Sequence, residues 1–151
     1  MAAPAADTVF ELRAGAMRLA LRADLGGCIA GLWHRDLPLL RSAAPQALAG
    51  ARESGCFALL PYSNRLGYRR FRWKGADYTT QPNFDGSAHS LHGVGWRRPW
   101  QVVSSSACEA ALRFCISSSY NLARSIFMAV SLLACWERSF WQLTTVLVGT
   151  W

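Results

Sequence analysis

GCFALLPYSNRLGYRRFRWKGADYTTQPNFDGSAHSLHGVGWRRPW, Gly55–Trp100, is the stretch on which the fold reading turns. A short apolar run, Cys56–Leu60, is stopped by Pro61, whose ring fixes its own backbone and removes a donor. Tyr68–Lys74, the turn Gly75-Ala76-Asp77 and then Tyr78–Gln81 set aromatic against polar positions around a glycine, which predicts a β-hairpin. Successive strand side chains point to opposite faces, so Arg70, Arg72 and Lys74 are expected on a solvated face and Phe71 and Trp73 on the other. Pro82–Ser87 has loop chemistry, and His89–Gly95 reads as a crossing punctuated by glycine.

Outward from this stretch the pattern stays short and extended. Residues 1–8 read as a frayed, flexible tail. Val9–Leu21 predicts two strands joined at Ala14-Gly15-Ala16. Gly26-Gly27 breaks the chain, a strand follows over Cys28–Trp33, and His34-Arg35-Asp36 is a turn. Arg41–Ser54, rich in small residues, reads as a flexible loop with one helical turn. Trp100–Ser104 and Ala110–Ile116 are two more strands. Short strands at this spacing, separated by Gly, Pro and Asn, argue for one all-β domain, a sandwich or a barrel, over residues 9–114.

Residues 115–151 differ. After Phe114 the only charged residues are Arg124, Glu137 and Arg138. Ile126–Trp136 and Phe140–Trp151 are apolar runs on either side of them. A membrane-spanning helix needs about 20 apolar residues, and one drawn across both runs places two charges at mid-bilayer. No membrane partner is therefore expected. A buried pair of strands or a helix is the plainer reading. A frame-shifted or truncated end is the sharper one.

The chain has 151 residues and a net charge of +7, enough length for one domain with a sizeable core. Lys74 is the only lysine, and the arginines are spread along the chain, so no nucleic-acid partner is expected. The rival reading is a basic β-domain that binds nucleic acid through Tyr68–Lys74. Five cysteines, an odd number with no CxxC pair, suggest neither a zinc site nor a disulfide framework. They read as reduced, mostly buried thiols. MAAPAADTVFELR lacks the basic head and apolar stretch of a secretory signal, so the expected location is cytoplasmic.

Four polar residues stand in apolar or glycine-rich surroundings: Asn64, Arg65, His89 and His92. Arg65 offers a planar fork of donors suited to hydroxyls and carboxylates. Asn64-Arg65, between Pro61 and Gly67, sits on a turn, where the plainer role is a turn cap and a surface ion pair. On an extended segment His89 and His92 point to opposite faces, so only one need be functional. His92 is preferred, because Gly93 thins the backbone where a ligand would approach. No third ligand stands at metal spacing. Trp73, Trp96 and Trp100 are expected in the core more than as stacking faces. The glutamates, Glu11, Glu53, Glu109 and Glu137, are scattered. The four residues together suit a site for a polyhydroxylated ligand.

In this order, GGCIAGLW (Gly26–Trp33), GCFALLPYSNRLGYRRFRWKGADYTT and HSLHGVGWRRPW resemble the aldose 1-epimerase, or galactose mutarotase-like, family over about Val9 to Phe114. The resemblance implies a galactose mutarotase-like β-sandwich (supersandwich), incomplete in this chain. It implies interconversion of the α and β anomers of an aldose by acid–base ring opening, with no cofactor and no metal. The partner implied is a small sugar, an aldohexose with or without a phosphate; oligomeric state is left open. Arg65 matches the family's sugar-binding arginine. His92 matches the LHG histidine near the sugar ring oxygen and is the catalytic candidate. Asn64 matches the neighbouring turn residue, and His89 is a weaker candidate. The family's second histidine and its late glutamate have no matching positions here: no histidine follows His92, and Glu137 has other surroundings. Impaired activity is expected, and a non-catalytic carbohydrate-binding module is the alternative.

Overall fold

The structure, a computed structural model, describes residues 9–117, 123–135 and 140–149. The tail over residues 1–8 and the charged pair Glu137-Arg138 lie outside the described residues.

Twelve strands run through the described chain. Strands β1 (Val9–Ala14), β2 (Met17–Arg22), β3 (Cys28–His34) and β4 (Leu37–Pro38) form one antiparallel sheet in chain order. Gly15, at φ +57, makes the expected β1–β2 turn. Two short pairs follow. Strand β5 (Arg65–Leu66) pairs with β8 (Ser90–Leu91), and β6 (Arg70–Trp73) with β7 (Ala76–Thr79). Strands β9 (Gln101–Ser105), β10 (Glu109–Ser117), β11 (Ala123–Cys135) and β12 (Phe140–Gly149) form the second sheet, in the order β12-β11-β10-β9. The C-terminal apolar runs are thus a strand pair, not a helix, and β10 continues across Phe114. No helix among the described residues is long and apolar enough to cross a membrane.

The two sheets face each other. Leu12, Leu19 and Leu21 of the first share one core with Leu112 and Phe114 of the second and with Trp100, whose ring stacks on Phe114 at 5.4 Å. The Arg13 amide donates to the Ala107 carbonyl at 2.6 Å and ties the sheets along one side. This is the β-sandwich of the two architectures the strand spacing allowed.

Alternation along β2 sends Leu19 and Leu21 inward and Ala20 to the opposite face. In β3 the register skips Ala30, so Ile29 and Leu32, three apart, both reach the sandwich core. The outer face is left with Ala20, Cys28 and Ala30. Such small side chains make a shallow surface, and residues 41–54 lie on it. That segment is not the loose loop its composition predicts. It carries two 3-10 turns, Pro45–Ala47 and Ala51–Glu53, and buries Leu48 and Ala51. The Arg22 guanidinium holds it down, donating to the Pro45 carbonyl and pairing with Asp24 at 2.7 Å.

The hydrogen bonds from Arg22 hold the Asp24 carboxyl below its ordinary range. A lowered folded-state pKa means the unfolded chain takes up the proton first, so the pair stabilises the fold above about pH 4. That contribution is lost as pH falls through the depressed value. Asp24→Asn should lower the thermal midpoint at pH 7 and flatten its fall between neutral and acid pH; an unchanged acid limb would count against the pair.

The thiols correct the sequence expectation. Of those whose side chains are described, only Cys28 is buried; Cys108 is half-buried, and Cys56 and Cys115 are exposed because they sit at sheet margins. Burial pushes the Cys28 thiol up, away from the reactive thiolate. An aromatic disulfide reagent should label Cys56 in the folded chain and Cys28 only after denaturant is added. Labelling of both at one rate would contradict the packing.

The hairpin departs from expectation twice. Its turn is Lys74-Gly75, at φ 47 and 80, so Ala76 and Asp77 already belong to β7. Two positive φ values give the turn twist that matches paired strands. No second layer covers either face of the hairpin, so the aromatic face is as open as the cationic one. Trp73 is 61% exposed, where a core position was expected, and Phe71 and Tyr78 stack on each other at 5.2 Å in solvent.

Candidate functional site

The site is built where the chain over residues 60–69 meets the chain over residues 83–95. The Leu60–Pro61 peptide is cis, and the Leu60 carbonyl accepts the amides of Val94 at 2.7 Å and Gly95 at 3.0 Å. Arg65 then pairs with Leu91, and Leu66 with Ser90. One residue before that ladder, Asn64 and His92 close a reciprocal pair. The Asn64 amide donates to His92 Nδ1 at 2.8 Å, and the His92 amide donates to the Asn64 carbonyl at 2.9 Å. Three residues further along, the Tyr68 amide donates to His89 Nδ1 at 2.8 Å, and the two rings meet edge-on at 5.0 Å.

Both imidazoles therefore reach the same neighbouring segment, not opposite faces as period-two alternation predicts. The reason is local: His92 takes φ +57, so the extended run ends at Leu91 and the alternation ends with it. With Nδ1 occupied as an acceptor, each neutral ring carries its proton on Nε2. Asn64 Oδ1 accepts the Arg65 amide at 2.9 Å, the turn-capping role expected of it. The Arg65 side chain is exposed and forms no ion pair among the described residues, so the surface ion pair does not form.

Asn64, Tyr68, Arg69 and His92 all lie in the left-handed region, at φ 62, 46, 62 and 57. Each such residue costs roughly 1–3 kcal/mol and persists only where its surroundings over-determine it. Here the surroundings are a buried polar frame. Asn83 Nδ2 donates to the Leu91 and Gly93 carbonyls at 2.7 and 2.6 Å, and its Oδ1 accepts the Leu91 amide at 2.7 Å. Ser90 Oγ accepts from the Tyr62 hydroxyl at 2.6 Å and lies 2.7 Å from Thr80 Oγ1. The sequence gives no sign of Asn83, Tyr62 or Ser90 as supports: Asn83 stands in a loop-like PNFDGS stretch, and its partners are set by tertiary contact.

Gly93 also changes role. A Cβ there would stand 1.9 Å from the Leu60 carbonyl oxygen, so the space thinned by glycine is filled by chain, not ligand. Trp100 is core, donating Nε1 to the Gly95 carbonyl at 3.0 Å, and half-buried Trp96 packs on Phe57 at 6.0 Å. A hollow of about 580 Å3 between Asp24, Arg52, Glu53 and Trp96 contains none of Asn64, Arg65, His89 and His92. Among the described residues no three His, Cys, Asp or Glu side chains cluster as metal ligands would.

Comparison with known proteins bears on this arrangement. The family model described as aldose 1-epimerase matches residues 8–124. The chain belongs to the aldose 1-epimerase family. An uncharacterized Escherichia coli K12 protein, YphB, is 41% identical over 99 residues, 66% of this chain and 33% of that protein. A crystal structure of an Escherichia coli K12 protein assigned to the aldose 1-epimerases superposes with TM-score 0.73 at 35% identity, over 83% of this chain and 42% of the other. A galactose mutarotase related enzyme from Lactobacillus acidophilus shares the fold, with TM-score 0.66 at 12% identity over 93% and 43% of the two chains. The described fold is thus a galactose mutarotase-like β-sandwich. The chain spans a third of the curated relative and under half of these solved structures.

Proposed function

We propose that this chain supplies the sugar-holding half of an acid–base site that interconverts the α and β anomers of an aldose. In that reaction a carboxylate takes the proton of the anomeric hydroxyl while the ring oxygen is protonated. The ring opens, the C1–C2 bond rotates, and closure gives the other anomer. Arg65 binds sugar hydroxyls through its guanidinium fork, and His92 turns its Nε2–H toward the ring oxygen. Asn64 fixes His92, and His89 borders the site. The observation that carries this reading is the reciprocal Asn64–His92 pair beside an unpaired arginine: it holds one tautomer in one orientation next to a hydroxyl-binding fork.

A non-catalytic carbohydrate-binding module is the second reading, since Arg65 and His92 suffice to hold a sugar without turnover. Calorimetry with galactose and glucose, beside polarimetry of freshly dissolved sugar, separates the readings. Binding without faster mutarotation is the expected result and fits a carbohydrate-binding module equally; turnover at an ordinary enzymatic rate would remove the idea of impairment. Arg65→Ala and His92→Ala should each weaken binding about 10- to 100-fold, the scale of losing a hydrogen bond to a charged or site-fixed donor. Unchanged affinity in both would sink the site. The proposed location is the cytoplasm, a reducing compartment that suits the thiols of Cys28 and Cys56.

A further inference from the structure

The β6–β7 hairpin belongs to neither sheet of the sandwich, and none of its residues joins either apolar core. Every residue of its two strands is exposed. Register sets Phe71 opposite Tyr78 and Trp73 opposite Ala76 on one face, and Arg70 opposite Thr79 and Arg72 opposite Asp77 on the other. Phe71 and Tyr78 stay 43% and 39% exposed even though their rings stack, and Trp73 stands further out, next to the turn. Lys74, in the turn itself, holds its ammonium 5.9 Å from the centre of the Trp73 ring. Arg72 donates to the Gly75 carbonyl at 3.2 Å and lies 3.8 Å from Asp77, while Arg70 forms no ion pair among the described residues. Three cations thus face one carboxylate within the hairpin. An aromatic face backed by a cationic one suits an element lying in a lipid interface. Its rings enter the headgroup layer, and its long basic side chains reach round to the phosphates. A nucleic-acid strand needs ring faces and cations turned to the same side. Here the cations lie on the far face, and Phe71 and Tyr78 each cover one face of the other's ring.

We propose that this hairpin docks the protein on an anionic lipid surface, with Phe71, Trp73 and Tyr78 in the headgroup layer and Arg70, Arg72 and Lys74 on lipid phosphates. The net charge of +7 draws the whole chain toward such a surface. A surface contact needs no apolar run of about 20 residues, so the short apolar runs of this chain do not count against it. It is also independent of the sugar site, since neither Arg65 nor His92 takes part. Co-sedimentation of the whole chain with vesicles tests it. Vesicles of equal parts phosphatidylcholine and phosphatidylglycerol should take up the protein, pure phosphatidylcholine should take up far less, and raised salt should erode the difference. The double change Arg70→Gln, Arg72→Gln should lower the partition coefficient about 25-fold, at about five-fold for each cation near an anionic surface. Trp73→Ala should lower it about ten-fold through lost apolar burial. Both variants alter exposed side chains, and circular dichroism checks their fold. Brominated lipid in the same anionic vesicles should quench part of the tryptophan emission of the unaltered chain, and Trp73→Phe should remove that part.

Equal uptake by neutral and anionic vesicles overturns the proposal, as does uptake that survives both variants or quenching that survives Trp73→Phe. A single-stranded oligodeoxynucleotide that displaces the vesicles, with its own binding lost in the same variants, overturns it in favour of a nucleic-acid surface. A dimer in sedimentation velocity that Trp73→Ala dissociates, with no uptake by anionic vesicles, overturns it in favour of a second copy of the chain on the aromatic face.

Discussion

Gly93→Ala should destabilise the chain by about 2–5 kcal/mol and abolish sugar binding with it. Two separate costs meet at this residue. Gly93 takes φ +62, where a Cβ crowds its own backbone. That Cβ would also stand 1.9 Å from the Leu60 carbonyl oxygen and 2.6 Å from Pro61 Cδ. Neither neighbour is a flexible side chain that swings aside. The Leu60 oxygen is committed to the amides of Val94 and Gly95, so moving it breaks both bonds. Since Leu60 leads into Asn64 and Gly93 follows His92, the displacement separates the reciprocal pair. Urea unfolding followed by tryptophan fluorescence measures the first effect and calorimetry the second. A midpoint within error of the unaltered chain would show that the two segments do not meet as described.

Asn83→Ala should cost about 3–6 kcal/mol, because it leaves the part-buried Leu91 amide and carbonyl and the buried Gly93 carbonyl without partners, each at about 1–2 kcal/mol, the lower part of the usual range. Asn83 is 8% exposed, so water does not easily replace it. The three groups belong to Leu91 and Gly93, which flank His92, and the loss should appear in sugar affinity as well as in stability. Asn83→Asp makes the argument sharper. A carboxylate still accepts the Leu91 amide but donates nothing, and it sets negative charge against two carbonyl oxygens. Aspartate should therefore rescue nothing. If Asn83→Asp keeps full stability at neutral pH, the two donated bonds are not what holds the segment.

Legibility varied along the chain for physical reasons. Strands over Val9–Leu21 were readable because period-two alternation is written in neighbouring residues, and those over Cys28–Trp33, Trp100–Ser104 and Ala110–Ile116 because turn residues bound short extended runs. The hairpin was readable as a hairpin, but its turn was read one residue late: Lys74 occupies a left-handed position that a lysine does not advertise. The layer formed by residues 41–54 was hidden, since Leu48 and Ala51 are buried only because Ala20, Cys28 and Ala30 leave room for them. In the candidate site, Asn64, Arg65, His89 and His92 stood out by type and setting. Their geometry did not. His92 leaves the extended run that its neighbours begin, so the imidazoles join one neighbouring segment where alternation sends them to opposite faces.

By itself, the sequence determined the all-β class, the family motifs and the four polar candidates, because strand periodicity, turn chemistry and residue type are local properties. Only the tertiary structure decided that Gly93 admits Leu60 and not a ligand, that Asn83 and Ser90 frame the histidines, and that Trp73 stands in solvent. Those outcomes depend on which segments meet: Asn64 and His92 are 28 residues apart in the chain, and the distance between them is set by every turn in between.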